Sequence, residues 1–172
     1  GWQDGELFNI GHMATDRICD QGFGQKTALI WEGFGDAKKT YTFDDMRVIT
    51  NGYARFLQEV GIQPGDRVCI FMDKSPSLYQ SFLGTLKLGA VAQPLFSAFG
   101  DDSLEVRLAS AGTRAIVTTQ KHVKKVRKIQ ERLPELKHII VVEGNPAKLR
   151  EGEIFFDVEA APRVENFESY KT

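Results

Sequence analysis

Two stretches of the 172-residue chain carry side chains suited to chemistry. The first is a basic run: Lys121, Lys124, Lys125, Arg127 and Lys128. It reads either as a solvated helix face, with aliphatic stems lying along the protein, or as a patch that binds phosphate. Lys124 and Arg127 stand at i and i+3, so on a helix they share a face and can hold one phosphate. Lys125 and Lys128 form a neighbouring pair with the same spacing. The second stretch is Phe96-Ser97-Ala98-Phe99. It ends an apolar run and precedes Gly100, which places it at the carboxyl end of a parallel strand, where open α/β sheets receive ligands. Its two rings serve either the core or a planar ligand. No aromatic residue interleaves with the basic run, which argues against nucleic acid as a partner.

Other chemistries have no motif here. The sequence holds no G-x-x-x-x-G-K-[ST] loop, no G-x-G-x-x-G opening a helix after a strand, and no G-x-S-x-G turn. Gly22-Phe23-Gly24 and Gly33-Phe34-Gly35 read as turns, since neither leads into a helix. His12, His122 and His138 are too far apart to suggest a shared metal and read as surface or structural residues. Cys19 and Cys69 make no metal or redox spacing. No catalytic residue and no metal ligand is assigned.

The elements that must position the two stretches centre on residues 65–99. Arg67–Met72 is a short apolar strand. Ser75 caps a helix with Pro76 at its first position. Leu78, Tyr79, Phe82, Leu83 and Leu86 mark its apolar stripe, and Gly89 ends it. Ala90–Phe96 returns as a strand. A strand, helix and strand this close in sequence form a right-handed parallel crossover. Pro94 is placed near the exit of its strand, where a missing N–H matters least.

Before this unit, Trp2 and Phe8 are scattered anchors, and Asn9 caps a helix with Ile10, Met13, Ala14 and Ile18. Thr27–Trp31 and Lys39–Phe43 make a hairpin around Gly33-Phe34-Gly35-Asp36. Thr42 and Asp45 form a capping box ahead of a helix whose buried stripe is Met46, Ile49, Tyr53, Phe56, Leu57 and Val60. After the unit, Asp101 or Asp102 caps a short helix bearing Leu104 and Leu108. Arg114–Thr119 is a strand, His122–Leu133 a basic amphipathic helix, His138–Val142 a strand, and Ile154–Val158 one edge strand. Strands alternating with helices define an α/β class: a largely parallel sheet with helices on both faces, preceded by a small N-terminal helix and a β-hairpin.

Composition fits this class. Hydrophobic residues make up 42%, enough for a core, and charged residues 26%. The net charge of −1 gives no general attraction for nucleic acid or an anionic membrane. No apolar run reaches the ~20 residues of a membrane span, and no secretory signal is seen. A cytoplasmic, reduced chain is expected. Gly1 in place of a start methionine reads as a processed or shortened chain.

The segments YTFDDM, GDRVCIFMDKSP, LGTLKLGAVAQPLFSAF and RLASAGTRAIVTT resemble, in order, the N-terminal part of AMP-forming acetyl-CoA and acyl-CoA synthetases of the adenylate-forming superfamily. The likeness runs from about Asn9 to the end. It implies that residues 1–172 are the N-terminal portion of an adenylate-forming large domain, with 1–20 a lead-in helix and 160–172 a linker toward a phosphate loop further on. The implied partners are a carboxylate, ATP with Mg, and CoA, together with the remaining C-terminal portion of the chain. Oligomeric state stays open. The family's phosphate loop and later motifs lie outside these residues, so the segment alone is expected to be inactive and to carry no bound cofactor. The resemblance places Phe96, Ser97 and Ala98, with Phe99, beside CoA, and Lys124 and Arg127 at its 3′-phosphate end. Two departures stand out: Lys replaces Arg at 124, and Ser97-Ala98 stands where two glycines are common. The alternative is a stand-alone anion-binding module using Lys121–Lys128.

Overall fold

The computed structural model describes residues 9–33, 35, 37–158 and 160–171. Trp2, Phe8, Phe34 and Asp36 lie outside them. The chain opens with two short helices, α1 (Ile10–Ala14) and α2 (Asp16–Ile18), and a wide turn at Cys19–Phe23. Asn9 caps α1 as its side chain suggests, accepting from His12 N. The hairpin follows as β1 (Thr27–Glu32) and β2 (Lys38–Thr42), antiparallel. Then come α3 (Phe43–Val60), β3 (Arg67–Met72), α4 (Pro76–Lys87), β4 (Val91–Phe96), α5 (Asp101–Ala111), β5 (Ala115–Thr118), α6 (Val123–Ile129), β6 (His138–Val141) and β7 (Glu153–Phe155). Strands β3 to β7 form one parallel sheet in the order β4-β3-β5-β6-β7.

The sheet separates two cores. Val68, Ile70 and Met72 of β3 join Val117 and Ile140 against α3 and α4. Cys69 and Phe71 face the other way and join Ile116, Ile139 and Val141 against α5 and α6. This is the period-two alternation of a strand buried on both faces. Helices therefore cover both faces, as the sequence led us to expect.

The capping signals behave as read. Thr42 and Asp45 exchange both bonds of a capping box, and Gly61 closes α3 with φ 106°. Ser75 accepts from Leu78 N with Pro76 behind it. The expectation for α5 needs correction: Gly100 is its N-cap, with no side-chain cap bond, and Asp101 and Asp102 sit in the first turn. There the carboxylates complement the positive end of the helix instead of bonding to it. The helix expected over 122–133 is α6 followed by a tighter turn at Gln130–Arg132.

Pro94 also needs correction. It pairs with Ile70 in mid-strand, not at the exit. β4 is an edge strand among the described residues, and Val91 N donates toward β3 at Asp66 O. Strand N–H groups alternate sides, so the nitrogen of Pro94 points away from the sheet and no ladder bond is lost.

The stripe expected on α4 is only half-buried. Leu78, Tyr79, Phe82, Leu83 and Leu86 are intermediate, while Gln80, Ser81, Gly84 and Thr85 are buried. The cause is close helix packing. A Cβ at Gly84 would run into the ring of the fully buried Tyr53 on α3. Small residues on α4 let the two helices approach. Gly84→Val is expected to cost about 2 kcal/mol through overpacking, read as a lower urea midpoint at unchanged slope. A midpoint equal to wild type would show that this approach is not tight.

The segment expected as a linker, 160–172, is irregular but lies along α3 as far as it is described. Asn51 Nδ2 donates to Val164 O (3.0 Å), and Arg47 donates to Glu165 O (2.8 Å). Tyr170 N donates to Lys87 O, and Asn9 Nδ2 donates to Tyr170 O (2.6 Å).

Candidate functional site

The chain leaves β3 for β4 on one side and returns to β5 on the other. The strand order reverses between β3 and β5, and open α/β sheets receive ligands at the carboxyl edge beside such a reversal. A hollow of about 230 Å³ lies there, lined by Asp73, Ser75, Thr119, Lys121 and Glu143 among others.

Asp73 is the hub of this edge. Ser97 Oγ donates to its Oδ1 (2.6 Å), His122 Nε2 lies 2.9 Å from the same oxygen, and Lys121 Nζ donates to Oδ2 (2.8 Å). The hydrogen bond from Lys121, then that from Ser97, holds the Asp73 carboxyl well below the usual carboxylate range. One carboxylate thus ties the ends of β3, β4 and β5 together. The serine and histidine both bond to Asp73 rather than to each other, so this is not a nucleophilic triad. His122 is buried against Phe71, with ring centroids 5.7 Å apart. It belongs to the structural side of the reading given to the histidines.

The Phe96–Phe99 loop splits its two aromatics. Phe96 is 78% exposed, whereas Phe99 packs against the α5–α6 core. The rings meet edge to face at 6.0 Å, and the guanidinium of Arg107 lies 4.6 Å from the centroid of Phe99. Lys125 Nζ donates to the carbonyls of Ser97 (2.8 Å) and Phe99 (3.0 Å).

The basic run is mostly engaged within the chain. Lys121 pairs with Asp73, Lys125 holds the loop, and Lys128 lies 3.5 Å from Asp101. Arg127 makes a two-pronged bond to Glu153, from Nε at 2.7 Å and Nη2 at 2.6 Å. Lys124 is exposed and has no hydrogen bond or ion pair among the described residues. The structure therefore does not bring Lys124 and Arg127 to one open phosphate site. Lys124 faces solvent, and Arg127 is spent on β7. Asp73 was missed because a lone aspartate after a strand looks like a turn residue. Its position at the carboxyl end of a parallel strand was the available signal.

Among the described residues there is no group of three His, Cys, Asp or Glu side chains able to hold a metal, and no helix is long and apolar enough to cross a membrane.

A parallel sheet covered on both faces, with its strand order reversing between β3 and β5, defines a doubly wound α/β domain. The model for the AMP-binding enzyme family matches residues 17–166, and the chain belongs to that family. The acetyl-coenzyme A synthetase of Bacillus subtilis (strain 168) is 37% identical over 139 residues, which is 79% of this chain and 23% of that protein. The 3-hydroxypropionyl-coenzyme A synthetase of Sulfurisphaera tokodaii is 32% identical over 124 residues, 72% of this chain and 19% of that one. A crystal structure of a Brucella canis acyl-CoA synthetase superposes with a TM-score of 0.82 at 25% identity, covering 96% of this chain and 29% of the other. The chain thus spans about a quarter or less of the length of these two curated relatives.

Proposed function

We propose that this chain forms the N-terminal portion of the large domain of an AMP-forming acyl-CoA synthetase, acting on acetate or another short or medium carboxylic acid. In that reaction a carboxylate oxygen attacks the α-phosphorus of ATP, and the bond to the β-phosphate oxygen breaks to release pyrophosphate. The CoA sulfur then bonds to the acyl carbon, the acyl–AMP bond breaks, AMP leaves, and the thiol proton passes to solvent. The residues in hand supply the scaffold and one wall of the CoA site, not the chemistry. The ATP-associated Mg ion finds no three-residue acidic or histidine cluster among the described residues, so none of them is assigned to it.

One observation carries this reading. An exposed Phe96 ring projects at the carboxyl end of β4, next to the helix that presents Lys124, which is exposed and has no partner among the described residues. An exposed aromatic face suits an adenine or pantetheine surface, and a free ammonium suits a phosphate. Ser97 and Ala98 are the backbone between the two phenylalanines. Arg127 keeps its neighbour β7 in place and contributes only indirectly.

The test has two arms. The full-length gene product is expected to catalyse carboxylate-dependent ATP–pyrophosphate exchange, and residues 1–172 alone to show none. Exchange by the short chain would overturn the assignment. Lys124→Ala in the full-length product is expected to raise the KM for CoA about tenfold, the loss of one charge-assisted phosphate contact. An unchanged KM would remove Lys124 from the site. The alternative, an anion-binding module, is disfavoured because four of the five cations between 121 and 128 already face partners in the chain.

A further inference from the structure

We infer that Asp73 and Lys125 are positioning residues that lock the 96–99 loop in advance of CoA binding; this rests on the proposed CoA wall. The two anchors have opposite charge and grip different atoms of the same four residues. Asp73 holds the side chain of Ser97 through its hydroxyl. Lys125 holds the main chain through the carbonyls of Ser97 and Phe99. The loop is held through the Ser97 side chain from the end of β3 and through its main chain from α6.

Both anchors are themselves fixed. Lys121 and His122 hold Asp73 from the start of α6. The Lys125 ammonium lies 5.8 Å from the centroid of Phe71, and His122 packs on the same fully buried ring. Phe71 thus supports Lys125 directly and Asp73 through His122. At the far end of the loop, Arg107 stacks over Phe99. The Phe96 ring stays exposed, with only its edge-to-face contact to Phe99. Such an arrangement lowers the ordering that binding would otherwise demand, so it strengthens a contact without touching the ligand. It also gives Ser97 a role: a glycine at this position would have no hydroxyl for Asp73 to hold.

The experiment measures the KM for CoA and the rate of ATP–pyrophosphate exchange in the full-length gene product. Lys125→Met and Asp73→Ala are each expected to raise the CoA KM about fivefold. That effect is expected to exceed any effect on exchange, a half-reaction without CoA, by at least about threefold. Lys125→Arg, which keeps donors for the two carbonyls, is expected to recover most of the loss. Should Asp73→Ala fail to fold, Ser97→Ala removes only the anchored hydroxyl and is read the same way. A CoA KM unchanged by Lys125→Met, while Lys124→Ala raises it, would overturn the lock and leave the CoA wall standing. Equal losses in exchange and in CoA KM would also overturn it, as the mark of general unfolding. If neither Lys124→Ala nor Lys125→Met moves the CoA KM, the wall itself is wrong and the lock falls with it.

Discussion

Replacing Lys87 with methionine is expected to destabilise this chain by about 3–5 kcal/mol, the cost of leaving one half of a buried ion pair alone. Lys87 lies in the last turn of α4, and its side chain is 0% exposed. Its Nζ reaches Asp16 Oδ2 at 2.6 Å and Asn51 Oδ1 at 2.8 Å. Burial pulls the ammonium below its ordinary pKa, and Asp16 opposes that pull. The lysine therefore ties α2, α3 and α4 at one point. Asn51 passes the connection on by donating to Val164 O in the C-terminal segment. Methionine fills the same volume but leaves Asp16 with the Thr15 hydroxyl and a distant His12. Adding Asp16→Asn to Lys87→Met should recover most of the loss, because no unpaired charge remains. Urea denaturation of the two single variants and the double variant measures the coupling. A single-variant loss under about 1 kcal/mol would show that water already solvates Asp16.

The second large effect concerns Arg127. Arg127→Ala is expected to cost about 3 kcal/mol of stability, while Lys124→Ala changes stability by less than about 0.5 kcal/mol. The Glu153 side chain is 3% exposed and its partner 16%. Without the guanidinium, the hydrogen bond left to the carboxylate among the described residues is the one from Arg150 N–H, at 2.9 Å. Adding Glu153→Gln to Arg127→Ala should restore much of the loss. The pair also sets an acid limb. The Arg127 hydrogen bond holds the Glu153 carboxyl below the usual carboxylate range. Its contribution is full above the unfolded carboxyl value near 4.3 and disappears as pH falls through the lower folded value. Glu153→Gln should therefore flatten the stability profile below about pH 4. An acid limb as steep as that of wild type would place the loss elsewhere.

These pairs show where sequence reading reached and where it stopped. Local signals were legible. Ser75-Pro76, Thr42 with Asp45, and Asn9 each act within three residues, and the structure repeats them. The apolar runs of β3, β5 and β6 were equally plain, since strands buried on both faces have few polar residues. The stripe on α4 misled because a hydrophobic period registers side-chain type, not how near a neighbouring helix comes. At Gly84 the absence of a side chain decides the packing. The site shows the same division. Lys124 and the 96–99 loop were singled out from spacing and position, and they stand as proposals. Nothing local showed that Arg127 would be claimed by Glu153, 26 residues away. Asp73 likewise finds Ser97 and His122 only once three strands lie side by side.

Pro94 has a consequence beyond its own strand. A bare parallel strand at a sheet boundary is a template on which another chain can lay itself, and such pairing seeds aggregates. The missing donor of Pro94 falls in the middle of that outward row. An incoming strand would meet a gap where it needs a bond. On this edge the proline withholds one donor from any incoming strand, at no expense to the sheet it belongs to.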